Sequence, residues 1–214
     1  MDDTEHKKLV EEKDPRVHAR FDKKSTCSTC YREKSDCICK KVTSFSNKLQ
    51  VIILQHPQEQ FKQLNSAHLC GLILRNCKVF AGLSWPNFKS VAGENEQPSQ
   101  WGILYLKGHA QSSSPVELFD RKDQPLLQSE IKLRGIIALD GSWKQAKTLW
   151  WRNPWFLKLN RITLNPEHES LRNQSKKEGL STIESVALAL RYLGEKSTLA
   201  DSMLWQYEKL ILSK

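Results

Sequence analysis

No stretch of this 214-residue chain approaches the roughly 20 consecutive apolar residues of a membrane span. Its first 25 residues are almost all polar or charged and contain nothing like the apolar core of a secretory leader. We therefore expect a soluble, cytoplasmic protein with no membrane partner. Without a leader, the six cysteines do not suggest a disulfide framework. Internal repeats and hairpin signals are also lacking, which argues against an array of short antiparallel strands. Acidic residues are scarce in one region: residues 144–177 carry eight Lys or Arg against two acids, whereas residues 1–41 carry eleven against nine. In a chain of formal net charge +9 and pI near 9.3, this concentrates the positive field in the C-terminal half and suits a polyanionic partner.

The length supports one substantial core with an appendage. We divide it into a polar, mobile segment (1–24), a cysteine-rich segment (25–41) and one α/β domain (42–214). Residues 49–55 form an apolar run of strand length, followed by the His56-Pro57 break and a helical stretch over 58–75. Strands are predicted at 78–83, 101–107, 135–140 and 157–164, and helices at 143–151, 181–194 and 199–212, the second opened by a Ser-x-x-Glu capping box. This alternation predicts an open, mostly parallel sheet with helices on both faces. A monomer is expected.

Four cysteines fall within thirteen residues, at Cys27, Cys30, Cys37 and Cys39. Four thiolates suffice for a closed tetrahedral site of the kind Zn²⁺ favours, structural because no coordination position stays open. Another thiophilic metal, or free thiols, are the alternatives. The Cys37-Ile38-Cys39 spacing is tighter than the usual two to four intervening residues. Cys70 and Cys77 sit in apolar contexts and read as buried hydrophobes.

Asp140-Gly141-Ser142-Trp143 directly follows the apolar run 135–139 and precedes a helix, so Asp140 stands at the carboxyl end of a strand, the edge where open α/β sheets bind ligands. An aspartate there can take a proton or bind an ammonium or hydroxyl. Gly141 allows close approach to the backbone, and the helix start offers free N–H groups. Equally, Asp140 or Ser142 can simply cap the helix. Trp143, Trp150, Trp151 and Trp155 fall within thirteen residues, among Lys144, Lys147, Arg152 and Lys158. Basic groups find phosphates and aromatic faces stack on unpaired bases, although at any one position a tryptophan is more often core.

From Cys27 to Leu190 the chain resembles the DTW-domain family, named for an Asp-x-Thr-Trp signature. The resemblance lies in the cysteine cluster; in His56, Pro57, Glu59, Lys62, Asn65 and Ser66; in Asp140, Ser142, Trp143, Gln145 and Ala146; in Arg172; and in Leu180, Ser181, Thr182 and Glu184. Ser142 and Ser66 stand where the family has Thr, and Ser170 and Asn173 where Arg is expected. The resemblance implies a SPOUT-related fold with a C-terminal trefoil knot. It also implies transfer of the aminocarboxypropyl group of S-adenosylmethionine to the imino nitrogen of a tRNA uridine, with no metal or redox cofactor taking part. On that reading Asp140, Ser142 and Trp143 are the catalytic candidates, with Asp140 the proton acceptor. Ser84, Gly141, Gln145, Ser181, Thr182 and Glu184 would bind S-adenosylmethionine, while Lys144, Lys147, Arg152, Arg172 and Lys176 would contact RNA. An rRNA transferase and a non-catalytic zinc-containing RNA-binding protein are the alternatives.

Overall fold

The computed structural model describes residues 24–62, 65–105, 114–127, 129, 131–166, 170–171 and 179–213. The expected mobile N-terminal segment up to residue 23, and both Arg172 and Lys176, lie outside the described residues. Seven strands form one sheet: β1 (Gln50–Gln55), β2 (Cys77–Ala81), β3 (Trp101–Tyr105), β4 (Val116–Phe119), β5 (Pro125–Leu126), β6 (Gly135–Asp140) and β7 (Asn160–Leu164). The spatial order is β2-β1-β6-β3-β7-β4-β5. The first five strands in that order run parallel.

Both faces of the central strands are buried, which is why β1 and β6 are nearly unbroken aliphatic runs rather than alternating ones. On one face Val51, Ile53, Ile136 and Ala138 share a core with α1 (Ser66–Ile73), α4 (Thr182–Tyr192) and α5 (Ser197–Tyr207). On the other face Ile52, Leu54, Trp101, Ile103 and Ile137 pack against Phe88 and Val91 at α2 (Lys89–Ala92). Trp155 and Phe156 from the 3-10 turn Pro154–Lys158 complete that layer, with Trp150 of α3 (Trp143–Arg152) at its margin. Gly194 ends α4 at φ +90°, letting the Glu195 N–H return to the Leu190 carbonyl and close the helix.

Three expectations need correcting. The far edge of the sheet is an antiparallel hairpin, β4 with β5 and β4 with β7. Its turn lacks Asn-Gly or Asp-Gly because the Asp120 carboxylate does the work, accepting the Lys122 and Gln124 N–H groups while Asp123 takes φ +63°. The helix expected over 58–75 is broken: a 3-10 turn spans Pro57–Glu59, and α1 starts at Ser66, capped by Asn65. Residues 157 and 158 belong to the turn opened by Pro154, so β7 begins at Asn160.

Gly135 shows how closely β6 is held. A Cβ there would meet the Trp101 ring at 2.5 Å and the Gln50 carbonyl oxygen at 2.7 Å. Neither can retreat, because Trp101 is fully buried and the carbonyl is backbone. Gly135→Ala is therefore expected to cost about 3 kcal/mol, at the upper end for overpacking, as a lowered denaturant midpoint.

Candidate active site and metal centre

The carboxyl ends of β1 and β6 lie side by side, with Gln55 opposite Asp140 in the ladder and the His56 N–H donating to the Asp140 carbonyl (2.9 Å). In parallel strands, paired residues face the same way, so Gln55 and Asp140 both point toward the α1/α4 layer. The Asp140 carboxylate is buried there. Its Oδ2 accepts from Gln55 Nε2 (2.8 Å), and its Oδ1 accepts from the Thr182 hydroxyl at the start of α4. With one donor each among the described residues, both oxygens have a lone-pair direction left for a further donor. Burial raises the Asp140 carboxyl above its ordinary value; the bonds from Thr182 and Gln55 oppose the rise, Glu59 adds to it and Lys62 opposes it.

The Gln55 amide has a defined orientation. Asn65 Nδ2 donates to the Glu59 and Gln60 carbonyls, so Asn65 Oδ1 accepts, taking the His68 N–H (3.0 Å) and Gln55 Nε2 (3.2 Å). Gln55 thus spends both amide hydrogens on Asn65 and Asp140, and its buried Oε1 has no hydrogen-bond partner among the described residues. Neither Gln55 nor Asn65 was singled out for this role from the sequence. The available signal was a glutamine closing an otherwise apolar buried run.

Around this centre the loop functions divide. Ser142 caps α3: its hydroxyl accepts the Gln145 N–H (3.4 Å), and Gln145 Oε1 accepts the Ser142 N–H (2.6 Å). Gln145 Nε2 then reaches Gln58 Oε1 (3.1 Å), tying the α3 start to the His56–Gln60 turn. Gly141 permits this fold-back, since a Cβ would lie 2.9 Å from that of Gln145. Thr182 reaches Asp140, whereas Ser181 and Glu184 close a second capping box at the start of α4. The Glu184 carboxylate accepts the Ser181 N–H (2.8 Å), the Ser170 hydroxyl (2.8 Å) and the Leu171 N–H (2.7 Å), pinning residues 170–171 beside α4. Ser84 is not brought to this centre. Its hydroxyl donates to the Arg152 carbonyl at the opposite end of α3, about 15 Å along the helix from Ser142. Trp143, Lys144, Lys147 and Arg152 lie exposed along α3. His56 accepts the Gln58 N–H through Nδ1, and burial lowers its affinity for a second proton.

The four clustered cysteines converge. Cys27 Sγ lies 3.8 Å from Cys39 Sγ, Cys30 Sγ lies 3.8 Å from Cys37 Sγ, and all four sulfurs fall within 4.8 Å of one another. Thiolates about 2.3 Å from a tetrahedral ion stand about 3.8 Å apart, so the set fits such an ion. The tight Cys37-Ile38-Cys39 spacing works because Cys37 is extended: alternate residues face the same way, placing both thiols inward while Ile38 is buried in the main core. Backbone N–H groups of Cys30 and Thr29 hold the Cys27 thiol down to about 6. The segment is docked through its middle. Tyr31, at φ +55°, packs its ring on His68 (4.7 Å) and Phe61 (5.3 Å), and Arg32 donates to the Leu210 carbonyl (3.1 Å).

No helix among the described residues is long and apolar enough to cross a membrane. The chain matches the DTW domain over residues 24–213. It is 27% identical over 190 residues to tRNA-uridine aminocarboxypropyltransferase 2 of Macaca fascicularis, covering 83% of this chain and 59% of that one. It is 26% identical over 191 residues to the protein of the same name from Drosophila melanogaster, covering 85% and 72%. The Mus musculus protein of that name is 26% identical over 197 residues, covering 89% and 63%. The chain thus spans less than two thirds of the macaque and mouse relatives. No solved structure matches it.

Proposed function

Since the chain belongs to the DTW-domain family, we propose that it is a tRNA-uridine aminocarboxypropyltransferase using S-adenosylmethionine as group donor. The observation that carries the reading is the buried Asp140 carboxylate, held by Gln55 and Thr182 at the ligand edge of the sheet. The reaction joins the imino nitrogen of uridine to the γ-carbon of the donor's methionyl chain. The bond from that carbon to sulfur breaks, and sulfur keeps the electron pair in the departing methylthioadenosine. The imino proton must leave, and Asp140 is the group to take it, its affinity for protons raised by burial. The exposed Trp143, three residues beyond Asp140, and the Ser181–Thr182 start of α4 would aim the reactants, since placement must favour the γ-carbon over the competing methyl group. Ser142, Gln145 and Glu184 act through the two helix caps, which tie the start of α3 to the His56–Gln60 turn and the start of α4 to residues 170–171. The SPOUT relationship and the C-terminal knot belong to the same proposal, supported by family membership and a mostly parallel sheet closed at its ligand edge by α4. Zinc is the proposed ion of the four-cysteine set, in a structural role.

The deciding experiment incubates the protein with cellular tRNA and rRNA, separately, and a donor labelled in its aminocarboxypropyl carbons. Label in tRNA uridine is the expected result. Label only in rRNA, or transfer of methyl label alone, refutes the reading. Gln55→Leu removes a donor from the Asp140 carboxylate and so favours its protonated form. The acidic limb of the pH–rate profile should move to higher pH while the plateau changes little. A lowered plateau with an unmoved limb would mean that Gln55 does not act through Asp140.

A further inference from the structure

The tryptophans around α3 are sorted into two kinds. Trp155 is buried with its indole N–H on the Trp85 carbonyl (3.1 Å), and Trp150 packs between Tyr105 (5.1 Å) and Phe156 (5.6 Å). Trp143 and Trp151 face outward, 41% and 80% exposed. Positions 143, 147 and 151 lie four apart, so Trp143, Lys147 and Trp151 form one stripe along the helix, with Lys144 and Arg152 on the adjoining row. The inward side of α3 is already used by Ala146 and Leu149. From residue 141 to 166 the chain has no Asp or Glu, while Lys144, Lys147, Arg152, Lys158 and Arg161 are basic.

Leaving a whole indole in water forgoes burial worth about 25 cal/mol per Å². An outward row that alternates indoles with cations offers no continuous apolar face for a membrane or a helical partner. The lack of Asp and Glu across residues 141–166 favours a polyanion, with Lys144, Lys147 and Arg152 as its contacts, since Arg161 is already paired with Asp123. Flat rings need accessible base faces, which a paired A-form helix hides and an unpaired strand presents. We propose that this stripe is the track of an unpaired RNA strand, with a base stacked on Trp151 and neighbouring phosphates on Lys147 and Arg152. The proposal deepens the RNA-modifying reading and rests on it for direction: Trp143 follows Asp140 by three residues at the start of α3, and Trp151 lies about 12 Å further along the helix.

The test compares wild type, Trp151→Ala, Trp151→Phe and Lys147→Ala binding to an unpaired oligonucleotide and to an RNA duplex of equal length, across salt concentrations. Trp151→Ala should weaken binding to the unpaired strand about 5- to 150-fold, by a similar factor at low and high salt, and spare the duplex. Trp151→Phe should restore most of the loss. Lys147→Ala should flatten the salt dependence instead. Unchanged single-strand binding by Trp151→Ala, an equal loss on duplex, or a loss confined to anionic phospholipid vesicles overturns the proposal. The group-transfer assay separates the two readings. Normal transfer without a Trp151 effect removes the stacking platform alone, and a Trp151 effect without any transfer removes the enzymatic reading alone.

Discussion

Asp140→Asn should lower product formation by about 10²–10⁴-fold, the usual worth of a positioned proton acceptor, while leaving the protein folded. The substitution is close to isosteric, and its carbonyl can still accept from Gln55 while its amide donates to the Thr182 oxygen. Stability should respond in the opposite direction. An acid whose folded pKa is raised binds its proton more tightly in the native state than in the unfolded one. Its contribution to stability is therefore fully present below the unfolded value and is lost as pH rises through the folded one. Wherever it is ionised, Asp140 is thus a burden on the fold, and at pH above its folded value the neutral Asn should raise the thermal midpoint. Thermal melts with parallel turnover assays read both quantities. Retained group transfer in the variant would remove Asp140 from proton transfer, and a lowered midpoint would show that the carboxylate is better paired than its burial implies.

Loss of the four-thiolate centre should be the larger structural event. Chelation, or Cys30→Ser, is expected to remove stability of about 5 kcal/mol or more, comparable with the whole stability of a domain this size. The effect should spread, because Cys30 and Ile38 sit in the main core and Arg32 holds the Leu210 carbonyl. Tyr31 also braces Phe61 and His68 next to the His56–Gln60 turn, so tRNA binding or turnover should fall before global unfolding does. Elemental analysis for one metal ion per chain and chemical denaturation with and without chelator check this. A metal-free protein that unfolds at the same midpoint would refute it.

The parallel strands and the position of Asp140 were legible in the sequence because the information was local. Each buried strand is a short apolar run, and Asp140-Gly141 ends one of them. The Ser181-x-x-Glu184 box was equally readable, since a capping box is complete within four residues. The hairpin at β4 and β5 was missed because its turn depends on a side chain, Asp120, instead of a glycine. Gln55 escaped because its role exists only across the sheet, where strand register sets it opposite Asp140. The tryptophan cluster could be named as a group but not divided. Trp150 and Trp151 are neighbours in sequence, and the rotation of α3 alone decides which is core and which faces water.

Gln55, Asp140 and Thr182 come from three widely separated parts of the chain, 85 and 42 residues from one another along it. During synthesis, β1 and β6 can pair long before α4 has left the ribosome, and until it docks Asp140 lacks one of its two hydrogen-bond donors. Closure of the centre is therefore a late, long-range event, of the kind that makes a chain slow to mature. Folding followed by an amide-exchange pulse should show β1 and β6 protected ahead of the first turn of α4. A chain released before Ser181 would carry all seven strands in its sequence but lack the Thr182 contact that completes the Asp140 site.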